Sequence, residues 1–306
     1  RKESSAASDV YKRQHNVAYE IRLQKALESE ILCPFHYFGV SDYIQDGQVV
    51  SDNTKDLKLL ASEDRVKYIL EKTHYYGYSG DELKGLIFVS LKKEAKALAQ
   101  KLNDKGIPTE ALTGSDSQKH RNAVIQQLRD GSLNYIITVD LFNEGIDIPE
   151  INQVVMLRST QSSIIFVQQL GRGLRKSANK DFVTVIDFIG NYKNNYMIPI
   201  ALSGDHSHNK DSYRKFISDY APLKGVSTIN FEEVAQKRIF DSIQSATLNK
   251  KAMILQAFNE VKARIGRTPS LMDFIHQHSI DPEVILSKYG NCLLYTSDAA
   301  DDSLRV

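Results

Sequence analysis

Between Lys84 and Ile189, short apolar runs alternate with amphipathic stretches at a spacing that a parallel sheet can satisfy. Gly85–Ser90 reads GLIFVS, an unbroken run that suits a strand buried on both faces. Leu91–Lys105 places its apolar residues at helical spacing, with Gly106 just past its end. Thr109–Leu112 is a short strand, and Ser117–Arg129 is a helix stopped near Gly131. Strands at Tyr135–Val139 and Val154–Leu157, a helix at Ser162–Arg175 and a strand at Asp181–Ile189 complete the alternation. The expected fold is α/β, a parallel sheet with helices on both faces. Ligands of such sheets sit at the carboxyl ends of the strands. The residues placed there are Ser90, Thr113, Gly114, the stretch from Asp140 to Asp147, and Arg158.

The flanks read differently. Ala18–Leu32 has helical spacing, Pro34 ends it, and Phe35–Val40 reads as a strand. Ser41–Lys58 is polar and turn-rich, and Asp64–Tyr76 is a helix ending at Gly77. Beyond Gly190 the segments turn helical at Ser212–Tyr220, Phe231–Ala246, Leu248–Ile265 and Leu271–His278, after a linker-like SGDHSHNKD at Ser203–Asp211. The expected plan is an entry segment over 15–83, an α/β domain over 84–190, a linker over 191–210 and a smaller helical region over 211–291.

Composition sets outer bounds. With 39 Lys and Arg against 38 Asp and Glu, the net charge is +1, so any nucleic-acid contact must be local. No apolar run approaches the ~20 residues of a membrane span. Cys33 and Cys292 stand far apart without metal spacing, which suits a reduced, cytoplasmic chain. His206 and His208 lie in the linker, and no metal site is expected.

Both ends look foreign to the fold. Ser4–Gln14 (SSAASDVYKRQ) and Cys292–Asp302 (CLLYTSDAADD) can be encoded by one DNA sequence read on opposite strands. That DNA resembles a transposase-type sequencing adapter. Residues 1–14 and 292–306 are therefore expected to be translated adapter, and the remainder a piece of a longer gene.

The chemistry concentrates between Asn134 and Arg175. Arg172 and Arg175 are three apart, so on a helix they share a face and could reach one phosphate across a domain cleft. Two solvated arginines at a helix end would look the same. Asp147 after a glycine suits ribose hydroxyls, and equally a turn cap. Ser90, Thr113, Gly114 and Thr138 offer hydroxyls and backbone N–H groups for nucleic-acid phosphates, or plain turn chemistry. Lys92, Lys93 and Lys96 read as a solvated helix face.

Order and spacing together resemble the second RecA-like domain of superfamily 2 DEAD/DEAH-type helicases. IFVS (Ile87–Ser90) resembles motif IV, and ALTG (Ala111–Gly114) the strand-contacting segment after it. ITVDLFNEGIDIP (Ile137–Pro149) resembles motif V, and QQLGRGLR (Gln168–Arg175) fits the motif VI pattern QxxGRxxR. The resemblance implies that Arg172 and Arg175 reach the γ-phosphate of ATP. It likewise implies that Gly145, Asp147, Gln168 and Gly171 approach the nucleotide, and that Ser90, Thr113, Gly114 and Thr138 contact the strand. Arg22–Asp42 is similar to the linker in the bacterial restriction-enzyme-like branch, which favours DNA as the nucleic acid. The segment from Gly266 to Phe274, with Ser279–Pro282 and Lys288–Gly290, resembles the start of the C-terminal region DUF3427.

The 306 residues contain no GxxxxGK[ST] loop and no DEAD, DEAH or DECH acid motif. The β- and γ-phosphate cradle and the acid that holds Mg²⁺ are expected on an N-terminal RecA-like domain outside this sequence. The implied protein is an ATP-dependent helicase or translocase, and this piece alone is expected to be inactive. The alternatives are a non-catalytic nucleic-acid-binding or interaction module, and the motor subunit of a restriction system.

Overall fold

The computed structural model describes residues 32–139, 148–158, 174–203, 209–218, 227–246, 250–276 and Ile285. Strand β1 (Phe35–Ser41) leads into a small hairpin, β2 (Ile44–Gln45) and β3 (Gln48–Val49), and then helices α1 (Leu57–Leu60) and α2 (Glu63–Tyr76). Next come β4 (Gly85–Phe88), α3 (Lys92–Asp104), β5 (Thr109–Leu112), α4 (Gln118–Arg129), β6 (Tyr135–Thr138), β7 (Gln153–Met156) and β8 (Val183–Ile189). A 3-10 turn (Lys193–Tyr196) runs into α5 (Met197–Ser203) and is followed by α6 (Lys210–Ser218), β9 (Thr228–Phe231) and α7 (Glu233–Ser245). Helices α8 (Lys250–Ile265) and α9 (Leu271–His276) end the described chain.

Seven strands form one sheet in the order β5-β6-β4-β7-β8-β1-β9, with every neighbouring pair parallel. The apolar runs are continuous because both faces are covered. Leu86, Phe88, Ile136, Val154, Met156 and Val185 enter the core on one face with α4 and α5–α7. Ile87, Val89, Ile137, Val155 and Ile186 enter the other with α2 and α3. The helices start where their polar residues dictate. Ser62 Oγ accepts from the N–H of Arg65 at the head of α2, and Ser117 Oγ from that of His120 at the head of α4. Gly77, at φ 63°, ends α2 in a conformation that favours glycine.

The sheet is wider than the 84–190 expected. β1 pairs with β8 along its whole length, and β9 adds to the far side of β1. Thr228–Phe231 alternates exposed and buried residues, so it is a half-buried edge strand too short to stand out from the helix that follows. The stretch after Gly190 is also part of the fold. MIPIALS forms α5, with Ile198, Ile200, Ala201 and Leu202 buried in the same core as Tyr213, Ile239 and Ile243. Helices α8 and α9, with Ile285, build a cluster of their own around Ile254, Val261, Leu271 and Phe274. Among the described residues no helix is long and apolar enough to cross a membrane.

Candidate nucleic-acid interface

Register gathers the strand ends at one edge. Phe88 of β4 and Leu112 of β5 both pair with Thr138 of β6, so the chain leaves all three strands at the same level. Helices α3 and α4 start from this edge, and their first-turn N–H groups and positive dipole ends lie there. Lys92, Lys93, Lys96, Lys119 and His120, in the first turns of those helices, are all exposed. Two helix starts and five basic side chains give a locally cationic rim on a chain with no net basic field.

The four predicted strand contacts divide into two pairs. Ser90 and Gly114 are exposed at the edge. Thr113 is 3% exposed, and Asp116 Oδ2 accepts from both its N–H at 2.6 Å and its Oγ1 at 3.0 Å. Thr138 is fully buried in a central strand, with its Oγ1 unpartnered. The hydroxyls of these two therefore face the interior of the protein. The carbonyl of Gly114 accepts from Arg121 Nη2 at 3.1 Å, which places a further guanidinium beside the loop. Burial opposes the charge of Asp116, but Thr113, with His120 and Lys96 nearby, pulls its carboxyl below the ordinary range.

The Ser90 loop is held from beneath. Its N–H donates to Glu94 Oε2 at 3.2 Å. Arg65, with no exposed surface, donates to Glu94 Oε1 at 3.3 Å and to the Leu60 carbonyl at 2.6 Å. The rest of its fork grips Asp42, Nε to Oδ1 at 3.0 Å and Nη2 to Oδ2 at 2.8 Å. Burial works against the Arg65 charge, yet Asp42 and then Glu94 outweigh it and hold the guanidinium charged. Burial pushes Glu94 up to about 7 against the pull of Arg65. Sequence reading missed Glu94, Arg121 and Asp116. The local signal for Glu94 was an acid at the third position of a helix whose first flanking residue, Leu91, cannot cap it.

A second buried acid lies deeper. Tyr37 donates its hydroxyl to Asp187 Oδ2 at 2.5 Å, and burial pushes the Asp187 carboxyl up to about 7. Between about pH 4 and 7 the folded chain thus holds a proton on Asp187 that the unfolded chain has released. Stability falls as pH rises through that window and levels off above it. Asp187→Asn keeps an acceptor for Tyr37 and removes one titration. Its urea midpoint should change less than that of wild type between about pH 5 and pH 7.5. An unaltered slope would exclude Asp187 as a source.

Gly145, Asp147, Gln168, Gly171 and Arg172 lie outside the described residues. Arg175 is described and exposed. The preceding Leu174 is fully buried, and its carbonyl accepts from the N–H of Cys33 at 2.7 Å, so the backbone beside Arg175 is anchored to the entry of β1. Among the described residues no group of three or more His, Cys, Asp or Glu could hold a metal, and none is assigned to Mg²⁺.

Residues 65–177 match the family model for the helicase conserved C-terminal domain. Residues 254–304 match a domain of unknown function, DUF8090, a span that includes residues 292–304, expected above to be adapter-derived. The chain is 26% identical over 271 residues to the "Putative ATP-dependent helicase IRC3" of Saccharomyces cerevisiae, covering 87% of this chain and 37% of that protein. It is 28% identical over 193 residues to the pre-mRNA-splicing ATP-dependent RNA helicase prp28 of Aspergillus terreus, covering 62% of this chain and 24% of that protein. The chain thus spans well under half the length of either relative. Among solved structures, the Type ISP restriction-modification enzyme LlaBIII bound to DNA aligns with a TM-score of 0.49 at 16% identity, over 85% of this chain and 21% of that one. The yeast DEAD-box splicing factor Prp28 aligns at 0.45 and 20%, over 68% and 37%. The part of the chain that matches the helicase conserved C-terminal domain, residues 65–177, thus lies on a parallel sheet covered by helices on both faces.

Proposed function

We propose that this chain supplies the second RecA-like half of an ATP-dependent helicase or translocase that moves along a nucleic-acid strand. The observation that carries this is the shared edge of β4, β5 and β6, where Ser90, Gly114, two helix starts and a basic rim coincide inside the matched helicase domain. The strand backbone lies along that edge against Ser90 and Gly114, with Thr113 and Thr138 behind them. Arg172 and Arg175 act on the γ-phosphate of ATP, and Gly145, Asp147, Gln168 and Gly171 approach the nucleotide. The chain's own N-terminal RecA-like domain brings the P-loop and the acid that holds Mg²⁺. The similarity of Arg22–Asp42 to the restriction-like branch supports DNA as the strand, and the Gly266–Phe274 pattern supports a DUF3427-like start.

The test is a purified sample of this chain, titrated with labelled single-stranded DNA and RNA and assayed for ATP turnover. It should bind a single strand with an affinity that falls roughly 30- to 100-fold between about 50 and 200 mM salt, as about four phosphate contacts would give. It should hydrolyse no ATP with or without the strand. Turnover by this chain alone, or failure to bind either strand, would overturn the proposal.

A further inference from the structure

We infer that Glu94 is a positioning residue for the strand-contacting loop: backed by Arg65 and Asp42, it fixes the Ser90–Leu91 backbone so that the Ser90 hydroxyl stands at the nucleic-acid edge. This rests on the strand-contact proposal above and adds to it a device that sets the geometry of the contact.

Helix α3 begins on Leu91, which has no side-chain hydrogen bond to cap the first turn. Glu94 does that work from inside the helix. Its carboxylate accepts from the Ser90 N–H at 3.2 Å. An acid that only capped a helix could do so from the surface. Glu94 is instead fully buried, which is costly for a carboxylate unless it is paired. Its partner Arg65 comes from α2, and that guanidinium is gripped by Asp42 just past the end of β1 and by the Leu60 carbonyl at the end of α1. Three separate parts of the chain therefore converge on one cation, and Glu94, one of them, spends its other oxygen on the backbone of one loop. Nothing else described in the structure hydrogen-bonds the Ser90 N–H, and Ser90 itself is exposed. Removing the reach of Glu94 frees the loop without touching any group that meets the strand.

Two substitutions that keep a polar group beside Arg65 separate positioning from folding. Glu94→Asp is one methylene too short to hold the loop, while Glu94→Gln keeps the length and an acceptor oxygen. Binding of a labelled single-stranded oligodeoxynucleotide is measured by anisotropy on the full chain, alongside thermal melts and hydrogen exchange of the Ser90 and Leu91 amides. Ser90→Ala and Glu94→Asp should each weaken binding about three- to tenfold, the range for one lost hydrogen bond. The double variant should be no weaker than either single one, because Glu94 acts through Ser90. Glu94→Gln should stay within about twofold of wild type. The two loop amides should exchange faster in Glu94→Asp at a temperature where the rest of the chain keeps its protection. Additive losses, wild-type binding by Glu94→Asp or by Ser90→Ala, or unchanged amide exchange would overturn the inference while the strand-contact proposal stood. A wild-type chain that bound no strand would overturn both, and that result is read without any variant.

Discussion

Arg175→Ala, in a protein that joins this chain to a P-loop RecA-like domain, should lower ATP turnover by about 10³-fold or more and leave nucleotide binding measurable. A guanidinium directed at a γ-phosphate stabilises charge that spreads over the transferring group, and such an arginine contributes about 10³ to 10⁵ in turnover. Ground-state binding depends chiefly on the cradle of the other domain, so affinity should fall far less than rate. The local structure suits that task. Leu174 is buried and its carbonyl is tied to Cys33, so the backbone beside the exposed Arg175 is anchored. Lysine should not rescue it, because a compact ammonium cannot present the planar fork that phosphate oxygens match. The measurement is kcat beside the dissociation constant of a non-hydrolysable nucleotide. Turnover at the wild-type rate in Arg175→Ala would remove this residue from the phosphate site.

What could be seen in the residues alone was governed by sequence distance. The buried strands at Gly85–Phe88, Tyr135–Thr138 and Gln153–Met156 stood out because their runs are largely apolar and bounded by turn residues, and the half-buried Thr109–Leu112 because it lies between a helix and Gly114. The caps Ser62 and Ser117 lie within three residues of the N–H groups they serve, so α2 and α4 start within a residue of expectation. Membership of β1 and β9 in the sheet was not legible. Their pairing joins His36 to Thr228, and it depends on Gly39 leaving room for the Phe231 ring, which a Cβ would strike. The β2–β3 hairpin did carry a local signal, since Asp46 and Gly47 take positive φ of 48° and 76° in a two-residue Asp-Gly turn. At the site, Ser90 and Gly114 could be placed from strand ends alone. The occlusion of Thr113 by Asp116, three residues on, needed the loop's actual path. The Arg65 network was invisible because its acids lie 23 and 29 residues away, in opposite directions along the chain.

That network carries the largest expected stability effect. Arg65→Met leaves Asp42 and Glu94 buried without their cation, and the loss of one partner from a buried ion network costs about 3–5 kcal/mol. Against a total of roughly 5–15 kcal/mol, this should lower the melting temperature by about 10 °C and shift the urea midpoint without changing its slope. Arg65→Lys should fall between, since one ammonium cannot hold both oxygens of Asp42, the Leu60 carbonyl and Glu94 together. Replacing all three charged residues at once, Asp42→Leu with Arg65→Met and Glu94→Leu, leaves no orphaned charge. It should therefore cost much less than Arg65→Met alone, or even stabilise. The triple variant should still lose strand affinity, because nothing then accepts from the Ser90 N–H. Stability and positioning thus part company in one protein: the cation is needed because the acids are there, and the acid at 94 is there for the loop. A loss under about 1 kcal/mol in Arg65→Met, measured by urea unfolding at pH 7, would mean that this account of the network is wrong.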